Sequence, residues 1–170
     1  MRILGVDSSG MVASVALVED DLLVAEYSVN YKKTHSQTLL PMLDEIVKMT
    51  ELDLNTIDAI AVAAGPGSFT GLRIGAATVK GLGLALEKPV VSVPTCHGLA
   101  YNLWGSDKLI CPIMDARRSQ VYTGIYEFTK DGMQVLLDQS AMDIRALAEK
   151  LNAMGREVIF LGDGCPVYAS

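Results

Sequence analysis

The spacing of apolar residues predicts strands near the start of the chain and helices further along it. Residues 2–6, 13–18 and 22–31 contain short apolar or alternating runs separated by polar turns, which indicate three strands in an antiparallel meander. In residues 36–50 apolar positions recur every three or four residues, so this segment predicts a helix. Residues 57–64 form a continuous apolar run that is typical of a buried strand. The opening order is therefore β-β-β-α-β.

A glycine-rich loop, Gly65-Pro66-Gly67-Ser68, follows the buried strand and leads into a second helix over residues 70–86. The only charges in this helix are Arg73 and Lys80. Its apolar surface is therefore wider than one core-facing side requires. We expect this helix either to be sandwiched inside its own domain or to be covered by another protein.

A similar order of elements returns in the second part of the chain. A strand over 89–93 and a helix to about residue 104 complete the first part. The pattern then predicts strands over 109–115, 120–128 and 133–137, a helix over 141–154 and a strand over 158–161. We therefore predict an α/β fold with mixed sheets flanked by helices, in two lobes over residues 1–104 and 105–170 that share the order β-β-β-α-β.

The predicted second lobe stops where the first still has a helix, a strand and a helix to come. We expect the chain to be a fragment, or this lobe to need cover from elsewhere.

Composition narrows the class of protein. Of the 170 residues, 50% are hydrophobic and 20% are charged, which suits a globular protein with buried strands and at least one partner surface. The net charge of −6 excludes a broad basic field for nucleic acid. An RNA substrate would therefore have to be held by something else.

The sequence contains no pattern that predicts disulfide bonds, a zinc site, a signal peptide or a membrane span. Cys96, Cys111 and Cys165 lie far apart without a Cys-x-x-Cys pair, so neither a disulfide framework nor a zinc knuckle is predicted. Met1 leads directly into a strand, so we expect no signal peptide and a cytoplasmic protein. Residues 70–86 fall short of the roughly 20 apolar residues that a membrane span needs, so no membrane association is predicted.

Two loops are candidates for binding a nucleotide. A glycine turn at a helix start exposes backbone N–H groups where a phosphate could bind. An aspartate beside two hydroxyls could hold Mg²⁺ through water. The same residue types are equally ordinary in turns, and neither a P-loop nor a Gly-x-Gly-x-x-Gly pattern is present. Both interpretations therefore stay open for the candidate nucleotide-binding residues Asp7, Ser8, Ser9, Gly65 and Gly67.

The two helices over 36–50 and 70–86 are the candidates for a partner surface. Both have more apolar surface than one contact would use, and Gly71 and Gly75 make one side of the second helix nearly flat. Packed against the same pair from a partner, these helices would form a four-helix contact with small residues at the crossing. The predicted interface residues are Leu39, Leu43, Ile46, Leu72, Ile74, Gly75, Val79 and Leu82.

Four polar side chains have more than one interpretation. His35 precedes a helix, which favours a capping or interface role over catalysis. His97 has no histidine four residues further on, so a core or surface position is favoured over a metal ligand. Arg117 and Arg118 would suit a phosphate or carboxylate, or a contact between lobes or with a partner.

Four segments occur in order along the chain: Asp7-Ser8-Ser9, residues 34–41, residues 65–75 and Met114-Asp115-Ala116-Arg117-Arg118. Together they resemble the bacterial TsaB (YeaZ) family, a paralogue of the TsaD proteins once described as glycoproteases, and the resemblance runs from Met1 to about Gly164. It implies an actin-like, Hsp70-like two-lobe ATPase (ASKHA) fold. It also implies an accessory role in transferring a threonylcarbamoyl group to adenosine 37 of tRNA (t6A biosynthesis).

The resemblance further implies how the work is divided. A TsaD-like paralogue performs the transfer, a TsaE-like ATPase takes part, and this chain pairs with the paralogue or with itself as a homodimer. The two histidine positions of the catalytic relatives fall on Thr95 and Leu99, so no catalytic residue and no metal are expected. ATP or ADP with Mg²⁺ is expected only at an interface shared with the partner, and tRNA would be contacted only indirectly.

Two other classes of function stay open. The chain could be an enzyme, either a metal-dependent peptidase or a nucleotide-dependent phosphotransferase, although it lacks His-Glu-x-x-His and Gly-x-Ser-x-Gly patterns. It could also be an interaction module unrelated to tRNA, which co-purification of a TsaD-like protein would exclude.

Overall fold

The computed structural model describes residues 1–31 and 34–168. The chain divides into two compact units, Met1–Val93 and Pro94–Ser170, each with its own mixed sheet. Residues 169 and 170 of the predicted second lobe lie outside the described residues.

The first unit is a five-stranded sheet with two helices packed on one face. The strands are β1 (Arg2–Asp7), β2 (Ala13–Glu19), β3 (Leu22–Val29), β4 (Ala59–Ala63) and β5 (Val90–Val93), in the order β3-β2-β1-β4-β5. The meander β1–β2–β3 is antiparallel, as predicted, and β4 and β5 are parallel to β1. The helices are α1 (His35–Thr50) and α2 (Phe69–Leu86).

The core of the first unit lies between this sheet and its helices. Leu4 and Val6 of β1 pair with Ile60 and Val62 of β4, which places these side chains on the same face of the sheet. All four are buried and pack with the apolar stripes of both helices. Helix α2 is held in position by packing its apolar stripe against this face of the sheet.

The second unit contains a four-stranded sheet with helices on both faces. The elements are α3 (Thr95–Tyr101), β6 (Leu109–Asp115), β7 (Gln120–Thr129), β8 (Gly132–Asp143), α4 (Ile144–Met154), β9 (Val158–Leu161) and α5 (Cys165–Tyr168). The strand order is β8-β7-β6-β9. Residues of β6 alternate between a core that includes Leu147 of α4 and a core that includes Cys96 of α3. The predicted α/β class and the repeated β-β-β-α-β order are confirmed.

Two boundaries differ from the sequence-based prediction. The helix predicted to end the first lobe, α3, belongs to the second unit, because its Cys96 and Ala100 are fully buried against Ile110 and Tyr126. The division therefore falls after Val93 and not after residue 104. Strand β8 continues to Asp143, whose side chain then caps α4, so that helix begins three residues later than predicted.

Within residues 1–31 and 34–168, no helix combines the length and the apolar character that crossing a membrane requires.

Candidate functional site

The N-terminal end of α2 is held by the turn that follows β1. The Ser68 hydroxyl accepts a hydrogen bond from the backbone N–H of Gly71 at 3.2 Å and so caps the helix. The backbone N–H of Ser68 donates to the carbonyl of Ser9 at 2.6 Å. The Ser8 hydroxyl donates to the carbonyl of Gly71 at 2.8 Å. The helix end and the turn therefore satisfy each other's polar groups.

Three glycines let this turn lie directly against α2. A Cβ atom at Gly67 would collide with the carbonyl of Ser9, one at Gly71 with the carbonyl of Ser8, and one at Gly75 with the Ser8 hydroxyl. In each case the colliding atoms belong to backbone or to a buried side chain, so they could move apart only at a large cost in free energy. We call Gly67, Gly71 and Gly75 the glycine groove, because the turn after β1 is seated in it.

The structure brings the candidate nucleotide-binding residues together, but as packing partners. Ser8 and Ser9 are buried, and the backbone N–H of Ser9 donates to Asp7 Oδ1 at 2.7 Å. Gly65 has the left-handed φ of 110° that glycine allows, and it begins the turn into α2. Two groups that a phosphate could use at this helix end are engaged within the chain, since the N–H of Ser68 donates to the carbonyl of Ser9 and the Ser8 hydroxyl donates to the carbonyl of Gly71. The geometry therefore favours the interpretation of these residues as turn and packing residues.

His35 ties the start of α1 to the same turn. Its Nε2 lies 2.9 Å from the carbonyl oxygen of Gly10, at hydrogen-bond distance. The segment from Ser8 to Gly10 thus contacts the N-terminal ends of both α1 and α2. This fits the structural role predicted for His35, and it couples the positions of the two helices.

Most of the predicted interface residues are buried within the first unit. Both helices turn their strongest apolar stripe toward their own sheet, since that is where the largest apolar area is removed from water. Of the eight predicted interface residues, Leu72, Ile74 and Leu82 are partly buried. The other predicted residues, Leu39, Leu43, Ile46, Gly75 and Val79, are buried within the first unit and leave little surface for a partner, and the set of residues that contacts a partner stays a prediction.

Other apolar or small residues of the two helices are exposed. Leu40 and Met49 of α1 are 55% and 77% exposed, and Leu84 of α2 is 83% exposed. Ala77 and Gly81 of α2 are also exposed, and a Cβ atom at Gly81 would meet nothing within 4 Å. We call these five residues the outer face. They are apolar or small residues that lie off the buried stripes, and that position is the signal by which the sequence could have identified them.

The buried cysteines have strongly perturbed thiols. Burial raises the pKa of Cys96 to about 12 and that of Cys111 to about 11. For Cys111 the effect is partly offset by the Thr123 hydroxyl, which lies 3.3 Å from its Sγ. Both thiols are therefore protonated at neutral pH, and a thiol is a weak nucleophile compared with a thiolate.

His97 sits against an aromatic ring and not in a cluster of metal ligands. Its ring contacts Tyr126 edge to face at 5.1 Å between centroids, and its Nε2 lies 3.9 Å from Asp138 Oδ1. Over the described ranges, no three His, Cys, Asp or Glu side chains come together in a group that could hold a metal ion. The position of His97 is that of a packing residue of α3.

The paired arginines lie in a turn of unusual backbone conformation. Arg117, Arg118 and Ser119 have left-handed φ values of 66°, 53° and 61°. Asp115 stabilises this turn by accepting hydrogen bonds from the Arg117 N–H at 2.9 Å and from the Tyr168 hydroxyl at 3.1 Å. The side chains of Arg117 and Arg118 are exposed. A phosphate, a carboxylate or a partner surface could each be their ligand.

Comparison with known proteins places the chain in a family. Residues 23–168 match the model of the family described as "TsaD: tRNA N6-adenosine threonylcarbamoyltransferase". The chain is 40% identical to the tRNA threonylcarbamoyladenosine biosynthesis protein TsaB of Bacillus subtilis, over 95% of this chain and 71% of that protein. It is 36% identical to the TsaB protein of Escherichia coli, over 78% of this chain and 58% of that protein.

Solved structures agree with the fold. YeaZ from Pseudomonas aeruginosa superposes with a TM-score of 0.73 and 31% identity, over 84% of this chain and 66% of that chain. Component A of the (R)-2-hydroxyglutaryl-CoA dehydratase of Acidaminococcus fermentans, at 14% identity and a TM-score of 0.52, shares the fold alone. The fold is therefore that of YeaZ and of the actin-like ATPases, and the chain spans about two thirds of the YeaZ structure. On this identity and coverage, the chain belongs to the TsaB (YeaZ) family.

Proposed function

We propose that this protein is an accessory subunit of the machinery that transfers a threonylcarbamoyl group to adenosine 37 of tRNA, and that it does not catalyse the transfer itself. Family membership supports the reaction, since relatives of 40% and 36% identity are named as threonylcarbamoyladenosine biosynthesis proteins. The observation that carries the accessory role is the outer face of α1 and α2, where apolar and small side chains remain exposed.

The outer face is suited to packing against another pair of helices. Leu84 projects from α2 beside Ala77 and Gly81, and the methyl group of Ala77 and the bare backbone at Gly81 let a second helix approach closely. Leu40 and Met49 of α1 are apolar and exposed as well, but they are nine residues apart and therefore flank the buried stripe of that helix on opposite sides. The partner we propose is a TsaD-like paralogue, which presents the corresponding helices in a four-helix contact. Without the paralogue, the same surface pairs two copies of this chain as a homodimer.

The site chemistry supports a role without catalysis. The turn from Ser8 to Gly10 is seated against the N-terminal end of α2, so the hydrogen-bonding groups there are used within the chain. ATP or ADP with Mg²⁺ and a TsaE-like ATPase would then act at an interface shared with the paralogue. The net charge of −6 supports indirect contact with tRNA, held by the other subunits.

The test is a charged substitution at the centre of the outer face. Ala77→Arg adds a long cation where a second helix must approach, while its own exposed position leaves the first unit folded. We expect the affinity for the purified paralogue, measured by calorimetry, to fall about 30-fold or more, the range of an interface hot spot. The thermal unfolding midpoint should stay unchanged.

The matched control is Ala146→Arg, which places the same side chain on an exposed position of α4 in the second unit. Its affinity should equal that of the wild type. If Ala77→Arg binds the paralogue as tightly as this control, the outer face is not the partner surface. If the wild-type chain does not bind the paralogue at all, the proposed function is wrong.

A further inference from the structure

A shallow groove of about 360 Å³ lies between α2 and the strand β5, within the first unit. Its floor is apolar and is formed chiefly by Val62, Leu72, Val79 and Val90. We call it the α2–β5 groove. It is separate from the outer face, since none of the five residues of that face lines it.

The sign of the charge in the groove is opposite to that of the whole chain. Arg73 and Lys80 line it, and no described residue lining it is acidic, although the chain carries a net charge of −6. Phe69, which is 69% exposed, stands at the rim. The groove therefore combines an apolar floor with a cationic edge, which suits a ligand that is both apolar and acidic.

The two cations are placed for two separate anionic groups. Arg73 and Lys80 are seven residues apart on α2, which is about 10.5 Å along the helix axis. The guanidinium of Arg73 lies over the ring of Phe69, 3.9 Å from its centroid, and so leans away from Lys80. One phosphate or carboxylate would reach only one of the cations, and it would leave the apolar floor exposed to water.

The position of β5 favours an elongated ligand. Among the described strands β5 is the last of its sheet, and an edge strand carries backbone groups with which a neighbouring chain can pair. Val90 is 38% exposed beside the groove, and Ser92 adds a hydroxyl. A protein segment can lie along α2 and β5, fill the floor with a side chain and reach both cations, whereas a free anion cannot.

We propose that the α2–β5 groove binds a segment of the TsaD-like paralogue in which an apolar side chain is flanked by two carboxylates. The inference rests on the proposed function, because it takes the same partner. It adds a second contact, on the opposite flank of α2 from α1, and it assigns charge recognition to Arg73 and Lys80. The outer face would supply apolar area, and the groove would supply selection for an acidic segment.

The experiment reverses both cations in the full chain. Arg73→Glu with Lys80→Glu changes the charge by four units at exposed positions. We expect the affinity for the purified paralogue to fall about 30-fold or more in calorimetric titrations. The affinity of the wild type should weaken between 50 and about 500 mM salt, and the variant should lose that dependence. Circular dichroism would verify that the variant is folded.

The matched control carries the same change of charge elsewhere. Arg145 and Lys150 are exposed on α4, so Arg145→Glu with Lys150→Glu keeps the total charge of the variant equal. We expect the control to bind within about twofold of the wild type. Replacing carboxylates of the paralogue by lysine should restore binding to the Arg73/Lys80 variant and to no other.

The outcomes separate this inference from the proposed function. If the Arg73/Lys80 variant binds like its control while Ala77→Arg still weakens binding, the groove inference is overturned and the accessory role stands. If the variant loses only self-association, or only the binding of a tRNA anticodon hairpin, a second copy or RNA occupies the groove and the inference is equally overturned. Absence of binding by the wild type would overturn both.

Discussion

At the scale of single residues, the buried thiols couple stability to pH. The pKa of Cys96 is raised to about 12 and that of Cys111 to about 11, from a value of 9.0, mainly by burial. Above pH 9 the unfolded chain releases these protons while the native state keeps them. The buried thiols therefore make their full contribution to the free energy of unfolding below pH 9. This contribution is lost as the pH rises toward the native pKa values, about 11 for Cys111 and about 12 for Cys96.

We predict that replacing Cys96 by alanine makes stability less dependent on alkaline pH. One pKa unit corresponds to about 1.4 kcal/mol, so Cys96 alone lowers the wild-type free energy of unfolding by about 2 kcal/mol between pH 9 and 10.5. Urea unfolding at these two values should show a smaller loss for Cys96→Ala. The control is Cys165→Ala, since that thiol is only partly buried. An equal loss in all three proteins would contradict the prediction.

The residues around α2 show how far the sequence predicts the site. The turn chemistry of Asp7, Ser8 and Ser9 was predictable, as were the glycines of the loop. Their mutual contact was not, because Ser8 and Gly71 are 63 positions apart and only the folded sheet brings them together. For the same reason, the wide apolar surface of α2 indicated an interface but did not reveal that Val79 faces its own sheet.

At the scale of elements, α2 contains glycines with opposite roles. Gly71 belongs to the glycine groove, where a methyl group would collide with the backbone of Ser8. Gly81 lies on the exposed side, where a methyl group would meet nothing within 4 Å. The two positions have the same helical conformation and differ only in what surrounds them.

We therefore predict opposite effects of the same substitution. Gly71→Ala should lower the free energy of unfolding by about 1–3 kcal/mol through overpacking. Gly81→Ala should raise it by about 0.5–1 kcal/mol, since alanine favours a helix interior. Urea unfolding monitored by circular dichroism measures both. If Gly71→Ala is as stable as Gly81→Ala, the turn after β1 is not seated against the helix as described.

The sequence predicted the order of the strands and of helices α1–α4 correctly, and the differences in where β8 ends and α4 begins have a local cause. Strand β8 runs to Asp143 because its pairing with β7 continues to Gln120. Polar residues such as Asp138 and Ser140 lie on this edge strand and are mostly exposed, so the apolar pattern that marks a strand ends early. The sequence therefore predicts a strand that is too short and a helix that begins too soon.

At the scale of the whole molecule, the two units have separate cores. Among residues 1–31 and 34–168, the core around Leu4 and Val79 contains no residue of the second unit, and the cores around Leu147 and Cys96 contain no residue of the first. The only tryptophan, Trp104, lies in the second unit, where its ring contacts Tyr101 and Phe128. Tryptophan fluorescence therefore reports on the second unit.

We predict that the two units unfold separately. Leu147→Ala removes a buried side chain of the second unit and should shift the fluorescence transition by about 2–5 kcal/mol. Gly71→Ala should shift part of the circular dichroism transition and leave the fluorescence transition in place. If both probes shift together in both variants, the cores unfold as one cooperative unit.

The contact of Ser8 with α2 leads us to expect a particular order of folding. Helix α2 contains four glycines, Gly71, Gly75, Gly81 and Gly83, each costing about 1 kcal/mol relative to alanine, so it forms poorly alone. The β1–β2 hairpin is local and can form early, and its turn then serves as a template on which α2 winds. During synthesis the hairpin cannot pack against α2 until residues 69–86 have been made. Until then, only α1, which comes earlier in the chain, can cover the face of the sheet carrying Leu4 and Val6, so we expect a nascent chain to need most protection from aggregation in this interval.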